Sequence, residues 1–233
     1  REHIPTPDTG DDAEDLALRY SHPSWMVARW LDRFGLDDTT ELLRANNRRP
    51  MYSVRVNPLR ASHAEVTDWL DKHDVVHVDS PYLDNHLRLK RLQVLIEEGL
   101  LDDGRVAVQD ESAGLVVQLL DPQPGDTVLD GCAAPGGKAM HAAARMEGTG
   151  TLLAIDAQAD RLDRVEQAAE THGVDDLVQT KAADLRAWAP SPAPPHADRV
   201  LVDVPCTGLA VLAKRAALRR PPLPEGPAAT AAL

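Results

Sequence analysis

The sequence predicts an α/β fold in which a parallel sheet flanked by helices follows a small α+β subdomain. Three observations predict it. Short apolar runs alternate with helical patterns from residue 110 to residue 206, which is typical of parallel strands joined by crossover helices. Before Gly104, strand and helix patterns alternate within about 90 residues, which suggests a small α+β subdomain preceded by a helical pair. A glycine-containing turn comes directly after the first apolar run of the second half, "TVLDG".

The composition is that of a globular protein, with 43% hydrophobic and 27% charged residues among 233. A net charge of -12 argues against nonspecific nucleic-acid binding by the whole surface. The two cysteines lack the CxxC spacing of metal sites and are too few for a disulfide scaffold. This spacing gives no reason to expect a metal site. No apolar run is long enough for a membrane span, so no membrane partner is expected either. The first residues resemble no signal or transit peptide and include no initiator Met, so we expect the natural start upstream, and the cytoplasm or an organelle matrix as compartment.

The first half is predicted to contain a disordered tail over 1–13 and an N-terminal subdomain over 14–104. Apolar residues at helical spacing predict one helix over 23–34 and a second over 37–46. The segment "MYSVRVNP" predicts a strand that stops at its proline. Ser62 and Glu65 have the spacing of a capping box and predict a helix that begins there, followed by the short strand "VVHV".

The second half is predicted to be a partial α/β domain over 105–220, with a disordered tail over 221–233. The predicted order is a helix at 110–120, then strands at "TVLDG", 150–156, 177–184 and 197–206. Helices are predicted after the first two of these strands, and Gly173 is placed to end the second helix.

Basic residues are concentrated in two runs without acids. One extends from Leu42 to Ala64 and the other lies between Asp203 and Glu225. Either these are two solvated faces, or they are local patches that contact phosphates on an otherwise acidic surface. The candidates for nucleic-acid contact in these runs are Arg48, Arg49, Arg55, Arg60, Lys214 and Arg215.

The loop after the first strand, "CAAPGGK", has the features of a ligand cradle. Gly136 and Gly137 allow the backbone to approach a ligand, and the following helix offers free N–H groups to an anion. The spacing is neither GxGxxG nor that of a P-loop. Asp156 ends the next strand, where an acid accepts ribose hydroxyls, and Asp184 ends the third strand near an adenine edge. A nucleoside with a carboxylate, such as S-adenosyl-L-methionine, fits this pattern.

These motifs resemble the Sun/RsmB family of RNA (cytosine-5)-methyltransferases. The resemblance covers about residues 14–220 and includes "RYSHPSWMVARWL", "RVNPLR", "VQDESAGLVVQLL", "CAAPGGK" and "DVPCTGLAVLAKRAALRR". It implies a Rossmann-like S-adenosylmethionine-dependent methyltransferase sheet preceded by a small α+β RNA-binding subdomain. Compared with the sheet that is usual in the family, this one is expected to be incomplete on its C-terminal side. The resemblance also implies cofactor contacts by Cys132, Ala133, Ala134, Pro135, Gly136, Gly137, Lys138, Asp156, Asp184 and Asp203.

Cys206 and Asp203 are the candidate catalytic residues. Methylation of carbon 5 of cytosine needs a thiolate that attacks carbon 6, with an acid near the ring nitrogen. Cys206 follows Pro205 at the end of the last predicted strand, although a small buried hydrophobe is the alternative. The resemblance links this Pro-Cys cysteine to product release, and the nucleophile to a later Thr-Cys pair that this sequence lacks. Cys132 is interpreted as a packing or backbone contact.

The leading hypothesis is an S-adenosylmethionine-dependent RNA (cytosine-5)-methyltransferase that acts on ribosomal RNA, inactive as given because the nucleophile motif is missing. The alternative is a noncatalytic module that binds the cofactor and RNA. A nucleotide-dependent oxidoreductase is disfavoured, because it explains neither the loop spacing nor "DVPC". The sequence leaves the oligomeric state and the modified cytosine open.

Overall fold

The structure is a computed structural model that describes residues 7–188, 196–206, 208 and 212–215. Contacts divide the chain into two compact units, Met51–Val204 and a unit that combines Arg1–Pro50 with Pro205–Leu233. This grouping differs from the predicted division at residue 104. The predicted tail 221–233 and residues 1–6 of the predicted tail 1–13 lie outside the described residues.

Two helices make up the described part of the N-terminal segment. Helix α1, Asp12–Tyr20, begins inside the range predicted as disordered, because the Asp11 side chain accepts hydrogen bonds from the first-turn N–H groups of the helix. Helix α2, Ser24–Asn46, is interrupted at Gly35, which has φ 76° and ψ -177°. The interruption matches the two separate helices predicted over this range.

The first half of the unit Met51–Val204 is an antiparallel sheet with helices beside it. Its strands are in the order β2-β3-β1-β4. The helix α3 begins at the predicted capping box of Ser62 and Glu65. Apolar side chains of β1 and β3 pack with those of α3 in one core. The elements are β1 (Tyr52–Val56), α3 (His63–Lys72), β2 (His77–Asp79), β3 (His86–Leu89), α4 (Gln93–Glu97) and β4 (Val106–Val108).

The second half is a parallel sheet in the order β7-β6-β5-β8 with helices between its strands. It confirms the predicted α/β fold class. The core lies between this sheet and its helices and includes Val128, Leu152 and Val165, which are completely buried. The elements are α5 (Glu111–Leu120), β5 (Thr127–Asp130), α6 (Gly137–Arg145), β6 (Thr151–Asp156), α7 (Ala159–His172), β7 (Val178–Ala182) and β8 (Arg199–Leu201).

Polar contacts join the antiparallel sheet to the helices of the parallel sheet. Asn57, directly after β1, donates its Nδ2 hydrogens to the carbonyls of Gly104 at 3.0 Å and His172 at 3.3 Å. Gln109 donates to the carbonyl of Gly137 at 2.8 Å, at the start of α6. These contacts join the antiparallel sheet to the parallel-sheet half, and the one from Gln109 reaches the helix that follows the predicted cofactor loop. In the part of the chain with described coordinates, no helix has the length and apolar character needed to cross a bilayer.

Candidate functional site

The loop between β5 and α6 is held by backbone hydrogen bonds on both sides. The N–H of Gly131 donates to the Leu201 carbonyl beside β8 at 2.8 Å, and the N–H of Ala133 donates to the Ile155 carbonyl of β6 at 2.9 Å. Gly136 has φ 106°, a conformation that residues with a Cβ rarely adopt. These contacts fix the loop at the carboxyl ends of three neighbouring parallel strands.

The N-terminus of α6 has room for a ligand beside it. Gly136 is its N-cap and has no side chain to accept hydrogen bonds from the first turn. A Cβ built on Gly137 meets no atom within 4 Å, so the space next to this residue is open. The first-turn N–H groups can therefore bind an anionic group, as the sequence predicts.

Asp130 ends β5 inside this site, and the sequence reasoning missed it. Its carboxylate is 2% exposed and accepts a hydrogen bond from the N–H of Cys132 at 3.3 Å. Burial raises the pKa of Asp130 to about 6, against the lowering effect of that hydrogen bond and of Lys138. Its position at a strand end, like that of Asp156, is the signal that could have identified it.

Lys138 and Asp203, both predicted to contact the cofactor, form an ion pair. The Lys138 Nζ lies 2.5 Å from Asp203 Oδ2. Lys138 comes from the first turn of α6 and Asp203 from the segment after β8, so the pair spans the space over the end of β5.

Asp156 ends β6 and its side chain is 6% exposed. Its carboxylate accepts hydrogen bonds from the N–H groups of Ala134 at 3.3 Å and Gln158 at 3.0 Å. Arg161 of α7, which the sequence reasoning did not select, lies 3.3 Å from Asp156 Oδ2 through Nη1. The acid predicted to bind ribose is thus held in a fixed orientation by three donors.

Asp184 follows β7 and is paired with Arg186, whose Nη2 lies 2.8 Å from Asp184 Oδ2. Hydrogen bonds from Arg186 lower the pKa of Asp184. The next residue, Leu185, covers Gly131, because a Cβ on Gly131 would come within 2.5 Å of a Leu185 methyl group. Leu185 therefore lies at the site, although no polar motif marked it in the sequence.

The two cysteines have different surroundings. Burial, followed by the nearby acids Asp130, Asp156 and Asp203, raises the pKa of Cys132, so that it is a thiol at neutral pH. Cys206 is exposed and belongs to the unit that includes Pro205–Leu233.

Arg55 is a correction to the predicted RNA contacts. It is completely buried in β1, so it has no surface to offer RNA in this structure. Arg60 is exposed and donates to the Glu170 carbonyl at 3.4 Å. Arg48, Arg49, Lys214 and Arg215 are exposed.

Two family models match this chain. The one described as "16S rRNA methyltransferase RsmB/F" matches residues 117–225, which include the loop and the four strands of the parallel sheet. The "Methyltr_RsmF/B-like, ferredoxin-like domain" matches residues 22–94. Over these two segments the chain belongs to the RsmB/F methyltransferase family. The ferredoxin-like match covers α2 and most of the antiparallel sheet.

Relatives of known name agree with this family. A Bacillus subtilis (strain 168) protein named "Probable ribosomal RNA small subunit methyltransferase B" is 31% identical over 92% of this chain and 48% of its own length. A Yersinia pseudotuberculosis "Ribosomal RNA small subunit methyltransferase B" is 35% identical over 83% of this chain and 44% of its own length. The chain therefore spans about half the length of the curated relatives it matches.

A solved structure shows the same fold. The crystal structure of PH0851 superposes with a TM-score of 0.87 and 31% identity, over 99% of this chain and 52% of that chain. NSun6 from Pyrococcus horikoshii, solved with SFG, has a TM-score of 0.70 and 20% identity over 80% of this chain and 71% of its own. The second match supports the fold alone. Within the described residues, no group of three His, Cys, Asp or Glu side chains is arranged to hold a metal ion.

Proposed function

We propose that this chain is the cofactor- and RNA-binding part of an S-adenosylmethionine-dependent RNA (cytosine-5)-methyltransferase that acts on ribosomal RNA. The observation that carries the proposal is the loop over 132–138, which lies beside Asp156 and the Lys138–Asp203 pair at the carboxyl edge of a parallel sheet. Parallel sheets bind nucleoside ligands at this edge. Residues 14–104 are proposed as the RNA-binding subdomain and 105–220 as the partial methyltransferase domain.

The residues present fit a nucleoside that carries a carboxylate. The carboxylate fits the open space beside Gly137, where the first-turn N–H groups of α6 can donate to it. Asp156 accepts hydrogen bonds from the ribose hydroxyls. Asp184 and Leu185 lie where the adenine would extend. When bound, S-adenosylmethionine supplies an electrophilic methyl group. Asp203 is proposed to stabilise charge on the cytosine ring, and Cys206 to assist product release.

Calorimetric titration with S-adenosylhomocysteine and with NAD tests the cofactor. We expect S-adenosylhomocysteine to bind and NAD not to bind, because the loop lacks the glycine spacing of a dinucleotide site. Binding of NAD without S-adenosylhomocysteine would overturn the proposal in favour of an oxidoreductase.

The alternative is a noncatalytic module that binds the cofactor and RNA. It is tested by incubating the chain with ribosomal RNA and methyl-labelled S-adenosylmethionine. Label in 5-methylcytosine supports an active enzyme. Cofactor binding without label supports a module that binds but does not turn over.

The exposed arginines Arg48 and Arg49 are proposed to contact RNA phosphates. Each phosphate contact releases counterions, so the double variant Arg48→Ala/Arg49→Ala should weaken RNA binding and reduce the slope of log K against log salt by about 1–2. Filter binding across a salt series measures this. A slope equal to that of the unmodified chain contradicts these contacts.

A further inference from the structure

Arg161 occupies a position where a cation is normally unfavourable. It lies in the first turn of α7, where the helix dipole favours acids and disfavours positive charge. Its side chain is 38% exposed, so it is not buried by packing. Two acceptors hold it there: its Nη2 donates to the Ala134 carbonyl at 2.8 Å, and its Nη1 lies 3.3 Å from Asp156 Oδ2.

These contacts form a closed ring of three residues from three elements. The N–H of Ala134 donates to Asp156 Oδ2 at 3.3 Å, while the carbonyl of the same residue accepts from Arg161. The ion pair between Arg161 and Asp156 closes the ring. Ala134 belongs to the loop after β5, Asp156 ends β6 and Arg161 begins α7, so the ring fixes the loop against the acid at the next strand end.

We propose that Arg161 is a positioning residue for the nucleoside cofactor. It holds the loop and the Asp156 carboxylate in the arrangement that the anionic tail and the ribose require together. The inference rests on the proposed function. It extends that function by one residue, which acts through Ala134 and Asp156. A planar guanidinium reaches both acceptors at once, whereas the single ammonium of lysine reaches only one at good geometry.

The experiment is calorimetric titration of S-adenosylhomocysteine into the chain and into Arg161→Lys and Arg161→Met. The matched control is Arg164→Met, since Arg164 is an exposed arginine one turn further along the same helix. We expect affinity to fall about tenfold for Arg161→Lys and about tenfold to hundredfold for Arg161→Met, because charge-assisted hydrogen bonds are lost. Arg164→Met should bind like the unmodified chain, and all four proteins should melt at similar temperatures.

A double-mutant cycle separates positioning from a general structural effect. If Arg161 acts through Asp156, the double variant Arg161→Met/Asp156→Asn should lose less binding free energy than the sum of the losses in the two single variants. Additive losses, or unchanged affinity in Arg161→Met, overturn the inference while the cofactor assignment stands. An unmodified chain that fails to bind S-adenosylhomocysteine overturns the proposed function, and the inference with it.

Discussion

The two sheets of the unit Met51–Val204 differ in where their charged side chains lie and in whether these side chains are paired. In the antiparallel sheet, Arg55 is completely buried, and none of its side-chain nitrogens has a hydrogen-bond partner among the described residues. In the parallel sheet, charges collect at the carboxyl edge in pairs, Lys138 with Asp203 and Arg161 with Asp156. The first sheet holds a charge inside the protein, and the second presents paired charges where a ligand would enter.

The surroundings of Arg55 leave it charged and keep two nearby histidines neutral. Burial lowers its pKa to about 10, so it stays charged at neutral pH. Burial, and then the positive charge of Arg55, lower the pKa of His86 to about 4 and that of His141 to about 2. Both imidazoles are therefore neutral, and they add no repulsion to the guanidinium. The comparison teaches that a basic residue at an inward-facing strand position is enclosed by the core, whereas Lys138 and Arg161, in the first turns of α6 and α7, pair with acids at or after the strand ends.

The largest effect is expected where the antiparallel sheet meets α7. Gly104 has φ 72°, and a Cβ there would lie 2.1 Å from the Thr171 carbonyl oxygen. Gly104→Ala should lower the free energy of unfolding by about 2–5 kcal/mol, from the left-handed conformation and the overlap together. Urea unfolding measures the loss.

Gly125→Ala is the matched control for that change. Gly125 has φ 86°, but a Cβ there meets nothing within 4 Å. Only the conformational cost of about 1–2 kcal/mol is then expected. Equal losses in the two variants would show that the contact with Thr171 does not restrain this junction.

The next effect concerns ligand binding at the edge of the parallel sheet. Asp156→Ala should weaken S-adenosylhomocysteine binding by about 2–4 kcal/mol, because two charge-assisted hydrogen bonds to the ribose are lost. The matched control is Asp163→Ala, because Asp163 is an exposed acid in α7, the helix that follows Asp156. This variant should leave the affinity for S-adenosylhomocysteine unchanged. Unchanged affinity in Asp156→Ala would mean that the ribose lies elsewhere.

Asp130 predicts a pH-dependent stability. Its pKa is about 6 in the folded chain and about 3.9 in an unfolded one, so the folded chain binds more protons between these values. Stability therefore falls as pH rises from about 4 to about 6. Asp130→Asn removes this loss and should be more stable than the unmodified chain above pH 6, by at most about 2–3 kcal/mol.

Chemical unfolding of both proteins at low and at neutral pH checks this prediction. The difference between them should nearly vanish below about pH 3, where the carboxyl is protonated in both the folded and the unfolded state. A stability difference between the two proteins that stays constant with pH would contradict a raised pKa of the buried Asp130.

The smallest effect is expected for the exposed pair at the end of β7. Arg186→Met removes the partner of Asp184, but both side chains face solvent, so no measurable change in melting temperature is expected. Arg88→Met is the comparison, because Arg88 bonds Glu111 through two nitrogens in a half-buried pair. It should cost about 1 kcal/mol. A larger loss of stability in Arg186→Met than in Arg88→Met would contradict this prediction.

The parallel sheet was predictable because its signals are local and strong. The strand patterns before the loop and before Asp156, with Gly173 ending α7, lie close to the observed elements. The strands β3 and β4 were missed, since they have only 4 and 3 residues, and so was the short α4. Strands this short are specified by pairing with β1 rather than by their own sequence.

Arg55, which was misassigned, and Asp130, which was missed, are both buried in the folded chain, and their burial depends on elements outside the local sequence pattern. Arg55 belongs to a basic run, but β1 is covered on both faces, and its burial pattern is exposed only at Tyr52. Asp130 was hidden inside an apolar strand pattern, and Arg161 has the sequence of a solvated helix face. The contact of Arg161 with the Ala134 carbonyl joins residues 27 positions apart, so only the folded chain brings them together.

The contact between Gly131 and Leu185 has a consequence for sequence variation. A methyl group at residue 131 would overlap a Leu185 methyl group at 2.5 Å, so the two positions share one volume. A larger residue at 131 would require the Leu185 side chain to move, so natural variants with a larger residue at 131 should tend to carry a smaller one at 185. The loops after β5 and β7 are therefore constrained to evolve as a pair.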